Sequence, residues 1–99
     1  MRNLSVESFV LSLEVGADSG TAPMVHTGHE FVVCFGGSIE YEVEDRTYLL
    51  NPGDSLLFAA PLSHHWLNAG KTTANVLIVL SGFDEKDRPM EKHLPARGN

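Results

Sequence analysis

The sequence predicts an all-β domain, a sandwich or closed barrel. Three observations carry this: short segments in which apolar and polar residues alternate, turn-forming clusters about every eight to twelve residues, and no stretch with a helical apolar stripe. A chain of 99 residues holds one domain, near the size at which a single core is adequate without being generous. At 42% hydrophobic and 20% charged it has the composition of a globular chain rather than a disordered one.

The first strand is predicted over residues 8–15, where Phe9, Leu11, Leu13 and Val15 alternate with mostly polar neighbours and share a core-facing side. Residues 16–23 are rich in Gly, Asp, Ser and Pro, which break or turn strands, and they deliver the chain to the Met24-Val25-His26 segment. Residues 30–35 read as a buried strand. Residues 38–44 alternate cleanly, with Ile39, Tyr41 and Val43 on one side and Glu40, Glu42 and Glu44 on the other, as a sheet with one wet face requires. A hairpin turn is expected at Asp45-Arg46, a returning strand over residues 47–50, a tight turn at Asn51-Pro52-Gly53-Asp54, and strands over residues 55–59, 64–68 and 74–81. The barrel is therefore assigned to residues 1–82. Residues 83–99 lose the alternation and carry Pro89, Pro95 and many charges, so they are expected to be a polar surface tail or the start of a further segment.

Charge and cysteine usage exclude several functions. Thirteen acidic residues against seven basic ones give a net charge of -6, so no electrostatic footprint for a phosphate backbone or an anionic bilayer is present, and direct nucleic-acid or membrane contact is not expected. Cys34 is the single cysteine and forms no intramolecular disulfide; in its apolar strand it reads as an inert buried thiol. The N-terminus lacks the basic, apolar, small-residue order of a secretion signal, and the longest apolar run, residues 76–80, is far too short to cross a membrane. A reducing, cytoplasmic setting is the expectation.

The chemistry concentrates in residues 26–37, His-Thr-Gly-His-Glu-Phe-Val-Val-Cys-Phe-Gly-Gly, in Pro52-Gly53-Asp54-Ser55, and in Ser63-His64-His65-Trp66-Leu67-Asn68. On these residues the chain resembles the cupins. Their jelly-roll barrel, a double-stranded β-helix, carries one motif of a glycine, a His-x-His pair, a glutamate and a glycine, and a second of glycine, histidine and asparagine. The resemblance spans residues 20–81: His26 stands at the second histidine of the pair, Glu30 and Gly37 follow at the family's intervals, and Gly53, His64 and Asn68 supply the second motif. Three positions depart from it: Met24 stands where the first histidine is expected, Pro61 replaces a usual glycine, and Ala59 a usual proline. The forms His26-x-Gly28-x-Glu30-Phe31-Val32, Pro52-Gly53-Asp54-Ser55 and His64-x-x-x-Asn68 look most like the C-terminal effector domain of bacterial helix-turn-helix regulators, whose DNA-binding part is a separate helical domain outside these residues.

Two imidazoles and a carboxylate, from His26, His64 and Glu30, make the facial set that suits Fe(II) and also serves Zn, Mn or Ni. The alternative for the same residues is a metal-free polar pocket whose members hydrogen-bond one another or an organic ligand. Met24 shares the face of His26; a thioether ligand there would favour copper, whereas methionine otherwise fills gaps in a barrel interior. Phe35, Tyr41 and Trp66 are assigned with Met24 to the walls of a ligand pocket, or else to plain core. His29 and His65 point the other way on an ideal strand, and Asn68 is expected to tie down its turn by local hydrogen bonds.

Two functions remain open: a module that binds a small molecule or metal and reports occupancy to a regulator, or a metal-dependent enzyme of dioxygenase or isomerase type. Cupin barrels commonly pair through their sheets, so a homodimer is expected in either case, with the first strand offering an edge.

Overall fold

The computed structural model describes residues 5–95. Among the described residues there are seven strands: β1 (Ser5–Leu13), β2 (His29–Gly36), β3 (Ile39–Val43), β4 (Arg46–Leu50), β5 (Ser55–Ala59), β6 (His64–Leu67) and β7 (Ala74–Phe83). They form two antiparallel sheets, one in the order β1-β7-β2-β5 and the other β4-β3-β6. The alternation read from the sequence is what makes this possible, because a period of two sends every second side chain inward. Val32, Ile39, Tyr41, Trp66, Val76 and Ile78 from both sheets meet in one core between them.

The connections fix the register. Val43 pairs with Arg46, so the two-residue turn is Glu44-Asp45, one position earlier than expected from sequence, with Glu44 taking the left-handed φ of 55°. Gly37 at φ 64° leads from β2 to β3, where a Cβ would overlap the carbonyl oxygen of Thr73; only glycine fits so close to the neighbouring backbone. β1 starts at Ser5 and ends at Leu13, leaving Val15 in an exposed turn and not on the core face assigned to it. The Met24–His26 segment runs beside β6: Met24 N donates to the His64 carbonyl at 2.6 Å and His64 N to the Met24 carbonyl at 3.0 Å.

The segment expected as a surface tail is folded onto the barrel over its described part. β7 continues to Phe83, then come a single 3-10 turn, Glu85–Asp87, and a single α-turn, α1 (Pro89–Lys92). Asp84 caps the first by accepting from Lys86 N at 2.9 Å, and Pro89 opens the second with the φ a first helical residue needs. Between them Arg88 sits at φ 48°, and after them His93 is buried completely. Residues 96–99 of the expected tail lie outside the described residues. No described helix is long and apolar enough to cross a membrane.

Candidate metal centre

β2 supplies Glu30 on its inward face. The Gly28 turn just before it sets His26 beside it. Gly28 adopts φ 87°, and a Cβ there would overlap the carbonyl oxygen of Ser81 on β7, so the turn between the two residues requires glycine. β6 supplies His64, and the chain beyond α1 supplies His93. The four side chains are buried, at 3%, 0%, 1% and 0% exposure for His26, Glu30, His64 and His93. One ligand atom from each lies within 4.8 Å of all the others.

All three rings turn the same edge toward the carboxylate. His26 Nδ1 lies 3.0 Å from the Thr27 carbonyl oxygen, His64 Nδ1 2.6 Å from that of Leu62, and His93 Nδ1 2.6 Å from that of Pro89. A carbonyl only accepts, so each Nδ1 carries a proton, and in the neutral ring Nε2 is left with its lone pair. Those three Nε2 atoms converge on Glu30 Oε1, at 3.3 Å from His26, 3.2 Å from His64 and 2.5 Å from His93. Acceptors facing acceptors need positive charge between them: either rings carry a second proton or a cation sits among them. His64 Nε2 makes no hydrogen bond despite its closeness to Oε1, so a buried nitrogen with a free lone pair already points at the cluster.

The other carboxylate oxygen is fixed separately, since Tyr41 Oη donates to Glu30 Oε2 at 2.8 Å across the two sheets. Burial, together with the Glu30 charge and this hydrogen bond, pushes the Tyr41 hydroxyl well above its ordinary value and keeps it a neutral donor. Burial by itself would raise the Glu30 carboxyl, but the three imidazoles of His26, His64 and His93 gathered around it outweigh burial and hold Glu30 well below the usual carboxylate range. The rings of Phe58 and Phe9 stand edge-on to His64 and His93, with centroids 4.8 and 6.0 Å apart, giving the cluster an apolar rim.

These residues fit a divalent ion. Ligand atoms on a tetrahedral Zn²⁺, at about 2.0–2.1 Å from it, stand roughly 3.3 Å apart; the His26–Glu30 and His64–Glu30 separations, 3.3 and 3.2 Å, already match, whereas His93 Nε2, in direct contact with Oε1 at 2.5 Å, has to draw back by roughly 0.8 Å for an ion to enter. The three carbonyl contacts at Nδ1 are the outer partners that orient metal-binding imidazoles.

The cupin domain family matches residues 9–80. The chain belongs to the cupins. Among solved structures it is similar to a sugar phosphate isomerase of the cupin superfamily from Silicibacter pomeroyi, at 26% identity and a TM-score of 0.65, covering 75% of this chain and 48% of that one, so this cupin spans about half that protein's length. It is also similar to the cupin domain of an XRE family transcriptional regulator from Enterobacter cloacae, at 20% identity and a TM-score of 0.66, covering 80% of this chain and 96% of that domain. A cupin domain from Schizosaccharomyces pombe is 17% identical with a TM-score of 0.69, over 91% of this chain and 64% of that one. A search of curated proteins returns no match.

Within this cupin the structure brings His26, Glu30 and His64 together and adds His93, which the sequence reading left in the tail. Met24, at the position of the motif's first histidine, is packed in the core beside His64, and the imidazole missing there is supplied from the C-terminal side. Of the four residues assigned to pocket walls, Met24, Tyr41 and Trp66 are buried in the core, and Tyr41 reaches the centre through its hydroxyl. Phe35 is 54% exposed and lines nothing inside: Glu30, Val32 and Cys34 take the inward positions of β2, which sends Phe35 outward. His29 is exposed, and His65 faces outward with Nδ1 3.4 Å from Glu42. Asn68 ties its turn together, donating to the carbonyls of Leu13 and Thr72 and accepting from Gly70 N. The Cys34 thiol is raised by burial, as befits an unreactive core group.

Proposed function

We propose that this cupin is a metal-dependent ligand-binding module of the kind that senses an effector for a transcriptional regulator, with His26, Glu30, His64 and His93 holding one divalent ion. The observation that carries the reading is the convergence of three carbonyl-anchored imidazoles on a single carboxylate oxygen in a fully buried site. A bound ion would supply Lewis acidity and an anchor for an anionic ligand group. Tyr41 orients the carboxylate, and the apolar rim excludes water. The regulator role is supported by the similarity to the Enterobacter cloacae regulator domain, which this chain covers almost from end to end.

A second reading, a metal-dependent isomerase, is favoured by the 26% identity to the Silicibacter pomeroyi sugar phosphate isomerase. Both readings require an open coordination position, which the four-residue set offers only when one of its members gives way. The test is metal analysis and calorimetric titration with Zn²⁺, Fe²⁺, Mn²⁺, Ni²⁺ and Cu²⁺ on protein purified without a polyhistidine tag. One ion per chain, lost in His26→Ala, His64→Ala protein, is expected. Failure of all five to bind would sink the metal reading and leave a polar pocket for an organic ligand.

A further inference from the structure

The four ligand candidates do not come from equally rigid parts of the molecule. Glu30 and His64 stand on strands held by continuous backbone ladders, and His26 is tied by its own N–H to the Ala60 carbonyl at 3.2 Å. His93 alone sits beyond the last strand, at the end of a segment made of two single helical turns, too short to be stable by themselves. That segment is fastened to the barrel mainly by side chains. Thr27 N and Oγ1 donate to Asp87 Oδ2 at 2.7 and 2.8 Å, Asp84 N donates to Thr27 Oγ1 at 2.6 Å, and Lys92 Nζ donates to the Val25 carbonyl at 3.0 Å. While it is docked the side chains of His26, Glu30, His64 and His93 are sealed from solvent.

We infer that His93 is the exchangeable ligand of the centre: a small anionic oxygen donor of the carboxylate class takes its position, and residues 84–95 leave the barrel when it does. This rests on the metal reading of the site. Charge selects the class of ligand. One carboxylate and three neutral imidazoles leave a divalent ion with a net single positive charge in a buried, apolar-rimmed place, and replacing a neutral imidazole by a carboxylate cancels it. A neutral ligand would gain nothing over His93 on that count. Exchange of this kind also turns occupancy into a change of surface, because the released segment uncovers the barrel mouth. Linkage makes the effect reciprocal: whatever factor the ion adds to segment docking, docking adds to ion affinity.

The experiment is hydrogen exchange of the amides of residues 85–94 on the full chain, metal-free, with one equivalent of Zn²⁺, and with Zn²⁺ plus acetate, measuring bound zinc in each sample. Zinc should slow exchange at least tenfold, and acetate should return it toward the metal-free rate with zinc still bound. Zinc bound without any slowing, or acetate bound without release, overturns the exchange while leaving the metal reading intact; no zinc bound at all removes the metal reading itself. His93→Ala supplies the control: segment exchange no longer responds to zinc, and acetate binds the zinc protein more tightly for want of a competitor. Unchanged acetate affinity in that variant would also count against exchange.

Discussion

Removing one oxygen atom, that of Tyr41, tests the electrostatic account of the centre with little disturbance to packing. In Tyr41→Phe the ring stays in the core, but Glu30 Oε2 loses the donor now 2.8 Å away, and no water replaces it because both residues are fully buried. A hydrogen bond to a buried charged group is worth about 1.5–3 kcal/mol, and that is the expected loss of unfolding free energy at pH 7 without metal. With an m-value near 1.5 kcal/mol/M, the urea midpoint falls by about 1–2 M. The pH dependence has a definite sign. Glu30 has a depressed folded-state pKa, so its interactions add stability above its unfolded value of about 4.3 and cease to do so as the pH falls through the folded value. The difference between Tyr41→Phe and the parent must therefore be full at neutral pH and shrink in acid. Zinc affinity should drop about 10–100-fold, as when an outer partner of a metal ligand is removed. A midpoint within about 0.3 M of the parent, with zinc affinity unchanged, would show that Tyr41 does not hold the carboxylate.

Gly28→Ala should cost about 2–4 kcal/mol and abolish zinc binding, since it combines a strained φ with an overlap against the Ser81 carbonyl in the turn that sets His26 beside Glu30; calorimetry and urea unfolding read both effects. Asp87→Asn should loosen residues 84–92 without touching the core, seen as several-fold faster proteolysis there at an unchanged melting temperature. The Thr27 hydroxyl and amide hold the Asp87 carboxyl below its usual range, so in the parent the same loosening should set in only as acid protonates it. Phe35→Ser should leave zinc affinity within twofold of the parent, because that ring faces solvent rather than the centre.

The strands were legible because a single rule, alternation, governs them: Ile39, Tyr41 and Val43 are inward because Glu40 and Glu42 cannot be. The same rule, applied from Glu30 along β2, excludes Phe35 from the interior: its aromatic character suggests a pocket wall, but its parity on the strand sends it outward. His26, Glu30 and His64 were legible as a set because motif spacing encodes their convergence. Tyr41 was legible as an inward aromatic, but nothing local to β3 says that its hydroxyl meets a carboxylate on the opposite sheet. His93 lies 63 residues from Glu30, after helical turns of three and four residues that generate no periodicity. The available signals were small: a capping Asp84, a proline at a helix start, and a histidine left unassigned in a stretch otherwise read as solvated.

Met24 and His93 read together as an exchange of one ligand between two places in the chain, and the exchange can be reversed by mutation. Met24 shares the inward face of His26 and is bridged to His64 through both backbone hydrogen bonds, so an imidazole at that position would arise from rigid barrel and not from the C-terminal segment. His93→Ala should weaken zinc binding by at least tenfold and leave the three remaining ligands of a site with an open position. Adding Met24→His to it should recover most of that affinity if the new ring reaches the cluster, and yet residues 85–94 should stay unprotected when zinc binds, because no ligand remains on them. Affinity and segment protection would thereby come apart in one protein. Recovery of both would mean that the segment responds to the charge of the centre and not to a bond through His93, and recovery of neither would mean that the Met24 position is too far from the other three to serve.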